Sequence, residues 1–169
     1  MLRDKSLIPL SHQHQRALAL CVRIDRAQPI PAKDLQAWQA EIAQLFEQEI
    51  GIHFATEEDV IFPAAREFAE LIPLIEELLA EHNSLRKSFR QAEKHNMLTE
   101  DLITFGQRLS SHIRKEERSL FERMQQLLQP PELASLGIKL EAALKGATQS
   151  CILTSEATKL KPKINSPVR

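Results

Sequence analysis

Several residue types that particular folds and sites depend on are scarce in this chain of 169 residues. Four glycines, no tyrosine and an aromatic content of 5% argue against an all-β fold, which uses turn glycines and aromatic rings on its pleated surface. The two cysteines form neither a CxxC pair nor a disulfide framework, so a reducing compartment is expected. No apolar run reaches about 18 residues and no signal-like segment opens the chain, so we predict a cytoplasmic protein without a membrane span.

Neither positive nor negative charge is in excess. The chain has 22 basic and 23 acidic residues, a formal net charge of −1, which favours neither a nucleic acid nor an anionic membrane as partner. The residues that are abundant (Leu, Ala, Glu, Gln, Lys and Arg) have high helix propensity. The composition therefore predicts an all-α protein of one domain.

Apolar residues recur at spacings of three and four in four long segments and one shorter segment. The predicted helices cover about 11–28, 34–60, 73–95, 99–128 and 131–145. Ser11, Asp34 and Thr99 are the expected N-caps of three of them. Pro63 is expected to end the second helix and to open a connection over 62–72 that can hold a further helical turn.

Short connections make neighbouring helices antiparallel, which predicts an up-down-up-down four-helix bundle over residues 1–146 with the short fifth helix packed against it. From 147 to 169 the sequence turns to Ser, Thr, Lys and Pro without periodicity. This composition predicts a disordered tail.

One pattern occurs twice, in the second and fourth predicted helices. A histidine precedes a glutamate by four residues, a second acid follows directly, and a phenylalanine stands nine positions after the histidine; the copies are His53, Glu57, Glu58, Phe62 and His112, Glu116, Glu117, Phe121. Residues four apart share a helix face. The alternative interpretation is a pair of solvated ion pairs, but these residues continue the apolar stripes, where unpaired polar groups are costly to bury.

Two single histidines, on the apolar stripes of the first and third helices, join the two His-Glu pairs as candidate metal ligands. His12 competes with His14 for the first position, and the stripe favours His14. In an antiparallel bundle all six candidates fall towards the same end. The candidate metal ligands are His14, His53, Glu57, His82, His112 and Glu116. This donor set suits first-row divalent metals and exceeds the need of one zinc ion, so we predict a dinuclear centre bridged by both glutamates and terminated by the histidines.

Residues 10–128 resemble the hemerythrin-like (HHE cation-binding) family through His14, His82 and the two His-x-x-x-Glu copies. The resemblance implies a four-helix bundle around two non-haem iron ions. The family's oxygen carriers have a second histidine one turn after the one on helix three, where this chain has Arg86; this difference disfavours reversible oxygen carriage. The remaining set looks more like the di-iron proteins of nitric-oxide stress and iron–sulfur repair, but the chain has no counterpart of their cysteine-bearing N-terminal module.

The function expected from this resemblance is binding or sensing of a small diatomic ligand, dioxygen or nitric oxide, or the handling of iron under oxidative or nitrosative stress. One alternative is a di-iron oxidoreductase acting on nitric oxide or peroxide, although no flavin, haem or iron–sulfur motif is present to supply electrons. Another is a metal-free helical module that binds a protein partner. The same ligands also accept manganese or zinc.

For several side chains near the candidate ligands, the sequence leaves two possible contacts open. Glu49 either bonds a ligand histidine or reaches solvent, and Arg86 either pairs with a carboxylate near the site or extends outward. Glu58 and Glu117 are expected to be solvated or to bond the ligands from behind. The remaining candidates are assigned no chemistry: Cys21 is expected in the core and His95 on the surface.

Overall fold

Four long helical rods and a shorter C-terminal helix make up residues 2–145, the part of the chain that the computed structural model describes, and no β-strand occurs there. The α-helices are α1 (Ile8–Arg26), α2 (Leu35–Leu45), α3 (Gly51–Thr56), α4 (Phe62–Arg66), α5 (Ile72–Glu93), α6 (Thr99–Lys115), α7 (Glu122–Leu127) and α8 (Pro130–Leu144). The π-helical segments Phe46–Ile50, Glu57–Ile61 and Glu116–Phe121 join α2, α3 and α4 into one rod and α6 and α7 into another. The all-α prediction with a short fifth helix is confirmed; the tail predicted over 147–169 lies outside the described residues.

Helix α1 begins at Ile8, ahead of the predicted cap at Ser11. Pro9 stands in the first turn, where its missing N–H interrupts no helical hydrogen bond. Leu7 and Leu10 are both 0% exposed in an apolar cluster. Burial of these side chains therefore extends the helix beyond the start that the capping signal indicates.

The other two predicted caps are also displaced. Asp34 ends a 3₁₀ turn ahead of α2 and makes no side-chain cap hydrogen bond. Thr99 is the first residue of α6 rather than its cap, and the Leu98 N–H donates to the Asp101 carboxylate at 2.9 Å. The Asp101 carboxylate in the first turn thus accepts the N–H of the residue just before the helix, as the acid of a capping box does.

Pro63 does not end the second rod, contrary to the prediction. The Phe62 N–H donates to the Glu57 carbonyl and closes the π-helical turn, and the α-helix resumes at Phe62 with Pro63 in its first turn. A proline is tolerated at that position because its missing N–H breaks no bond of the new helix. The rod continues to Arg66, and a 3₁₀ turn over Ala69–Leu71 leads into α5.

Two apolar clusters fill the interior, one around Phe54, Phe89 and Phe105 and the other around Phe62 and Phe121, where α8 also packs. Each rod crosses from one cluster to the other, and a layer of buried polar side chains lies at the crossing. On α1, for example, Leu10 belongs to one cluster, Ala17 to the other, and His14 lies between them. None of the helices within 2–145 combines the length and apolarity needed to cross a bilayer.

Candidate metal centre

The six predicted ligands converge on one buried layer, each at most 1% exposed. Their ligand atoms form two groups, with the atoms of each group within 4.8 Å of one another. The groups are His14, His53, Glu57, Glu116 and Glu57, His82, His112, Glu116. Both glutamates belong to both groups, and each group adds two histidines of its own. This is the arrangement that two metal ions bridged by two carboxylates require.

Each glutamate directs one oxygen towards each group. Glu57 Oε1 lies 3.3 Å from His53 Nε2, and its Oε2 lies 3.4 Å from His82 Nε2. Glu116 has the same division, with Oε2 at 3.2 Å from His14 Nε2 and Oε1 at 3.1 Å from His112 Nε2. The carboxylates therefore stand between the two pairs of histidines.

Both glutamates also begin a π-helical segment, Glu57–Ile61 and Glu116–Phe121. The wider turn changes the direction of every side chain after the glutamate relative to a regular helix. Short π-helical stretches inside α-helices are frequent at functional sites. The i,i+4 spacing from the histidine, which lies in regular helix, is unaffected.

Several polar atoms of this layer have no hydrogen-bond partner among the described residues. They are both carboxylate oxygens of Glu57, both of Glu116, and the Nε2 atoms of His82 and His112. Burying such atoms without a partner costs free energy. A divalent cation would accept lone pairs from all of them, so the residues present fit a pair of metal ions.

The outward-facing nitrogen of each histidine has its own acceptor. His14 Nδ1 lies 2.7 Å from Glu117 and His82 Nδ1 lies 2.8 Å from Glu58. The second acid of each repeated pattern therefore holds the single histidine on another helix. A proton on Nδ1 leaves the Nε2 lone pair directed at the centre, as metal-bound histidines require.

The other two histidines are held by the residues just before His14 and His82. His53 Nδ1 lies 2.8 Å from the Gln13 side-chain oxygen, and His112 Nδ1 lies 2.8 Å from a Glu81 carboxylate oxygen. The two halves of the layer are thus related by an approximate two-fold repetition. Sequence reasoning did not identify Gln13 or Glu81, although each stands next to a predicted ligand.

Each phenylalanine of the repeated pattern packs against one of the two single histidines. Phe121 stacks on His14 at a ring distance of 5.6 Å, and Phe62 lies 5.5 Å from His82. Phe54 also stacks on His82, at a ring distance of 3.9 Å. These rings restrict the rotation of the two single histidines.

Cations on the surface hold the outer carboxylates. Arg86 donates to both oxygens of Glu58 at 2.7 and 3.1 Å, which decides between the two interpretations of that arginine. Lys115 pairs with Glu81. Arg3, which the sequence did not indicate, bonds the Glu117 side chain and its carbonyl from the N-terminal arm.

The family model of the hemerythrin HHE cation-binding domain matches residues 9–124, most of the chain and all six converging residues. The chain belongs to the hemerythrin HHE cation-binding family. The searches of curated proteins and of solved structures return no match. This domain is therefore a cation-binding one, and the six buried side chains are its candidate ligands.

Neighbouring histidines and acids of the hemerythrin HHE domain are kept out of the centre. His12 and His95 are exposed, whereas His14 is buried. Glu49 follows neither predicted alternative: it is 3% exposed and accepts two hydrogen bonds at 2.8 Å from Arg16 Nε, so it bonds neither a histidine nor bulk water. A buried carboxylate requires such a partner.

Cys21 is 5% exposed, and burial raises the pKa of its thiol to about 12. The thiolate, which is the reactive form, is therefore not populated at neutral pH. This agrees with the expectation that Cys21 is a core residue.

His14, His82 and His112 of the hemerythrin HHE domain have raised pKa values in the absence of metal. Burial alone lowers the pKa of His14, but the nearby carboxylates of Glu116 and Glu117 outweigh it and raise the pKa to about 9. The pKa of His82 rises to about 9 and that of His112 to about 10 because the effect of the same carboxylate layer exceeds that of burial. Burial and mutual repulsion raise the pKa of Glu57, but the histidines around it hold it below its ordinary value.

We expect the metal-free domain to lose stability as the pH rises from about 6.5 to about 10. Histidines titrate near 6.5 in the unfolded chain, and the pKa values of about 9 to 10 for the folded chain lie higher. The stabilisation of the folded state by these protonated histidines is therefore complete below about pH 6.5 and is lost as the pH rises through their pKa values in the folded chain. Denaturant titrations of chelator-treated protein across this range measure the effect.

The control variant is His12→Gln, which removes an exposed histidine two residues from His14 and should leave the pH profile unchanged. His112→Gln should make the free energy of unfolding depend less on pH. A wild-type stability that stays constant or rises over this range contradicts the prediction.

Proposed function

We propose that this domain holds two iron ions and binds or senses a small ligand, dioxygen or nitric oxide, or handles iron under oxidative or nitrosative stress. The observation that carries the proposal is that both buried carboxylates are shared between two histidine pairs. A single metal ion would leave one of these pairs without a cation.

The donor count supports a role in ligand binding. Each ion would receive two imidazole nitrogens and one oxygen from each glutamate, four protein donors in all. First-row metals with this kind of ligand commonly take more than four donors, so positions remain for a small exogenous ligand. Bound iron would supply those open positions and a change of oxidation state.

The position of Arg86 also supports a role in ligand binding. It stands one turn after His82, but it pairs with Glu58 and its guanidinium lies 5.4 Å from the centre of the Phe54 ring. It therefore adds no donor to the centre. The buried set stays at four histidines and two glutamates, which favours sensing or stress-related binding over oxygen transport.

The test is reconstitution of the chelator-treated chain with ferrous iron in the absence of oxygen, followed by addition of dioxygen or nitric oxide. We expect about two iron ions per chain by metal analysis, and a new visible absorption band that saturates as the ligand is added. His12→Gln is expected to behave as wild type. His14→Gln, on the same helix, is expected to lose one iron.

Three results would change the conclusion. A chain that takes up no iron contradicts the proposal and leaves the metal-free module. A chain that holds two iron ions but whose spectrum stays unchanged with both gases contradicts the binding of dioxygen or nitric oxide and leaves the handling of iron. Continued consumption of nitric oxide or peroxide with a supplied reductant, far beyond one equivalent per chain, favours the oxidoreductase instead.

A further inference from the structure

The two-fold repetition of the centre is broken at one pair of positions. Gln13 and Glu81 each stand immediately before a single histidine and each accept a hydrogen bond from a histidine of the repeated pattern. Both hydrogen bonds measure 2.8 Å, so the geometry is the same. The chemistry differs, because the acceptor is a neutral amide on one side and a carboxylate on the other.

The difference divides the layer into unequal halves. The pair His82 and His112 is held by two carboxylates, those of Glu58 and Glu81. The pair His14 and His53 is held by one carboxylate, that of Glu117, and by the Gln13 amide. Within residues 2–145, the remaining acceptors of the Nδ1 atoms, Glu58 and Glu117, are both carboxylates.

Lys115 does not cancel the difference. It bonds Glu81 through Oε1, whereas His112 bonds Oε2 of the same carboxylate, and it is shared with Glu77 at 2.6 Å. The negative charge therefore lies closer to the imidazole than the ammonium does. An anionic acceptor behind a metal-bound imidazole raises its basicity and strengthens its bond to a cation.

We propose that the two metal positions have unequal affinity, that the position of His82 and His112 fills first, and that Gln13 keeps the position of His14 and His53 weaker. This inference rests on the proposed binding of two metal ions. It assigns to Gln13 and Glu81 the role of positioning residues that set the order of loading.

The experiment titrates Co²⁺ into the chelator-treated full chain at one fixed pH and follows visible absorption and heat. Wild type should bind in two separate steps. Gln13→Glu should tighten the second step by about 10–100-fold, and Glu81→Gln should weaken the first by a similar factor, since changes behind a metal ligand commonly have this size. Because both replacements keep nearly the same shape, these shifts report charge rather than packing.

Glu77→Gln is the matched control, because it changes the other partner of Lys115 and leaves the acceptor of His112 in place. The affinities of both binding steps should be the same as in wild type. His14→Gln should remove the weaker step and His112→Gln the tighter one, which assigns the steps to positions. These two variants and Glu81→Gln decide the question if circular dichroism shows that Gln13→Glu does not fold.

Two equal steps in wild type, unchanged in Gln13→Glu and Glu81→Gln, would overturn the inference while leaving the proposed function intact. Removal of the tighter step by His14→Gln would also overturn it, because the order would be reversed. A chain that binds no Co²⁺ overturns both proposals together.

Discussion

Replacing both shared glutamates, in the variant Glu57→Gln/Glu116→Gln, is expected to lower the metal content from about two ions per chain to about none. Both carboxylates are 0% exposed and each contributes an oxygen to both ligand groups. The neutral amide of glutamine is a much weaker donor to a divalent cation than a carboxylate. Only two histidines per metal position would remain. Metal analysis after dialysis of the loaded protein measures the loss.

The matched control is Glu49→Gln, which changes a buried carboxylate on the same rod that faces Arg16 instead of the centre. It should keep two ions per chain. Retention of both ions by the double variant, with its helical content intact, would show that the shared carboxylates do not hold the metal.

Metal loading is expected to stabilise the fold by about 5 kcal/mol when the free metal exceeds the dissociation constant of each site about 100-fold. Binding to the native state alone contributes about 2.7 kcal/mol per site at that ratio, and the centre has two sites that the unfolded chain does not preform. For a chain of this size the corresponding rise in Tm is about 10–20 °C. The gain has a local origin, because a cation satisfies the buried oxygens of Glu57 and Glu116 that have no partner among the described residues.

Thermal or denaturant unfolding with and without metal, repeated after chelation, measures this stabilisation. Glu57→Gln/Glu116→Gln should show the same Tm under all conditions. If wild type unfolds at one temperature whether metal is present or removed, the layer is not a metal centre.

The ends of the helices show where local signals in the sequence failed. Ser11 and Thr99 are good N-cap residues, yet α1 begins at Ile8 and α6 at Thr99 itself. Pro63 lies inside a continuous rod because a π-helical turn precedes it. Cap and breaker rules describe local preferences, and burial of Leu7 and Leu10 outweighs such a preference.

The identity of the converging side chains was accessible because it depends on short spacings. Residues four apart on a helix share a face whatever the helix packs against, so His53 with Glu57 and His112 with Glu116 could be paired without a structure. The apolar stripe also separated His14, which is buried, from His12, which is exposed. That these six residues bind metal remains a prediction.

The sequence by itself therefore determined the helical class of the protein, the family resemblance and the faces on which the candidate ligands lie. Only the tertiary structure decided which acceptor holds each histidine, that Glu49 pairs with Arg16, and that Gln13 and Glu81 occupy equivalent positions with different charge. The physical reason is that helical periodicity is a property of one segment. Contacts between segments depend on the rotation and offset of each rod, which the packing of two apolar clusters sets.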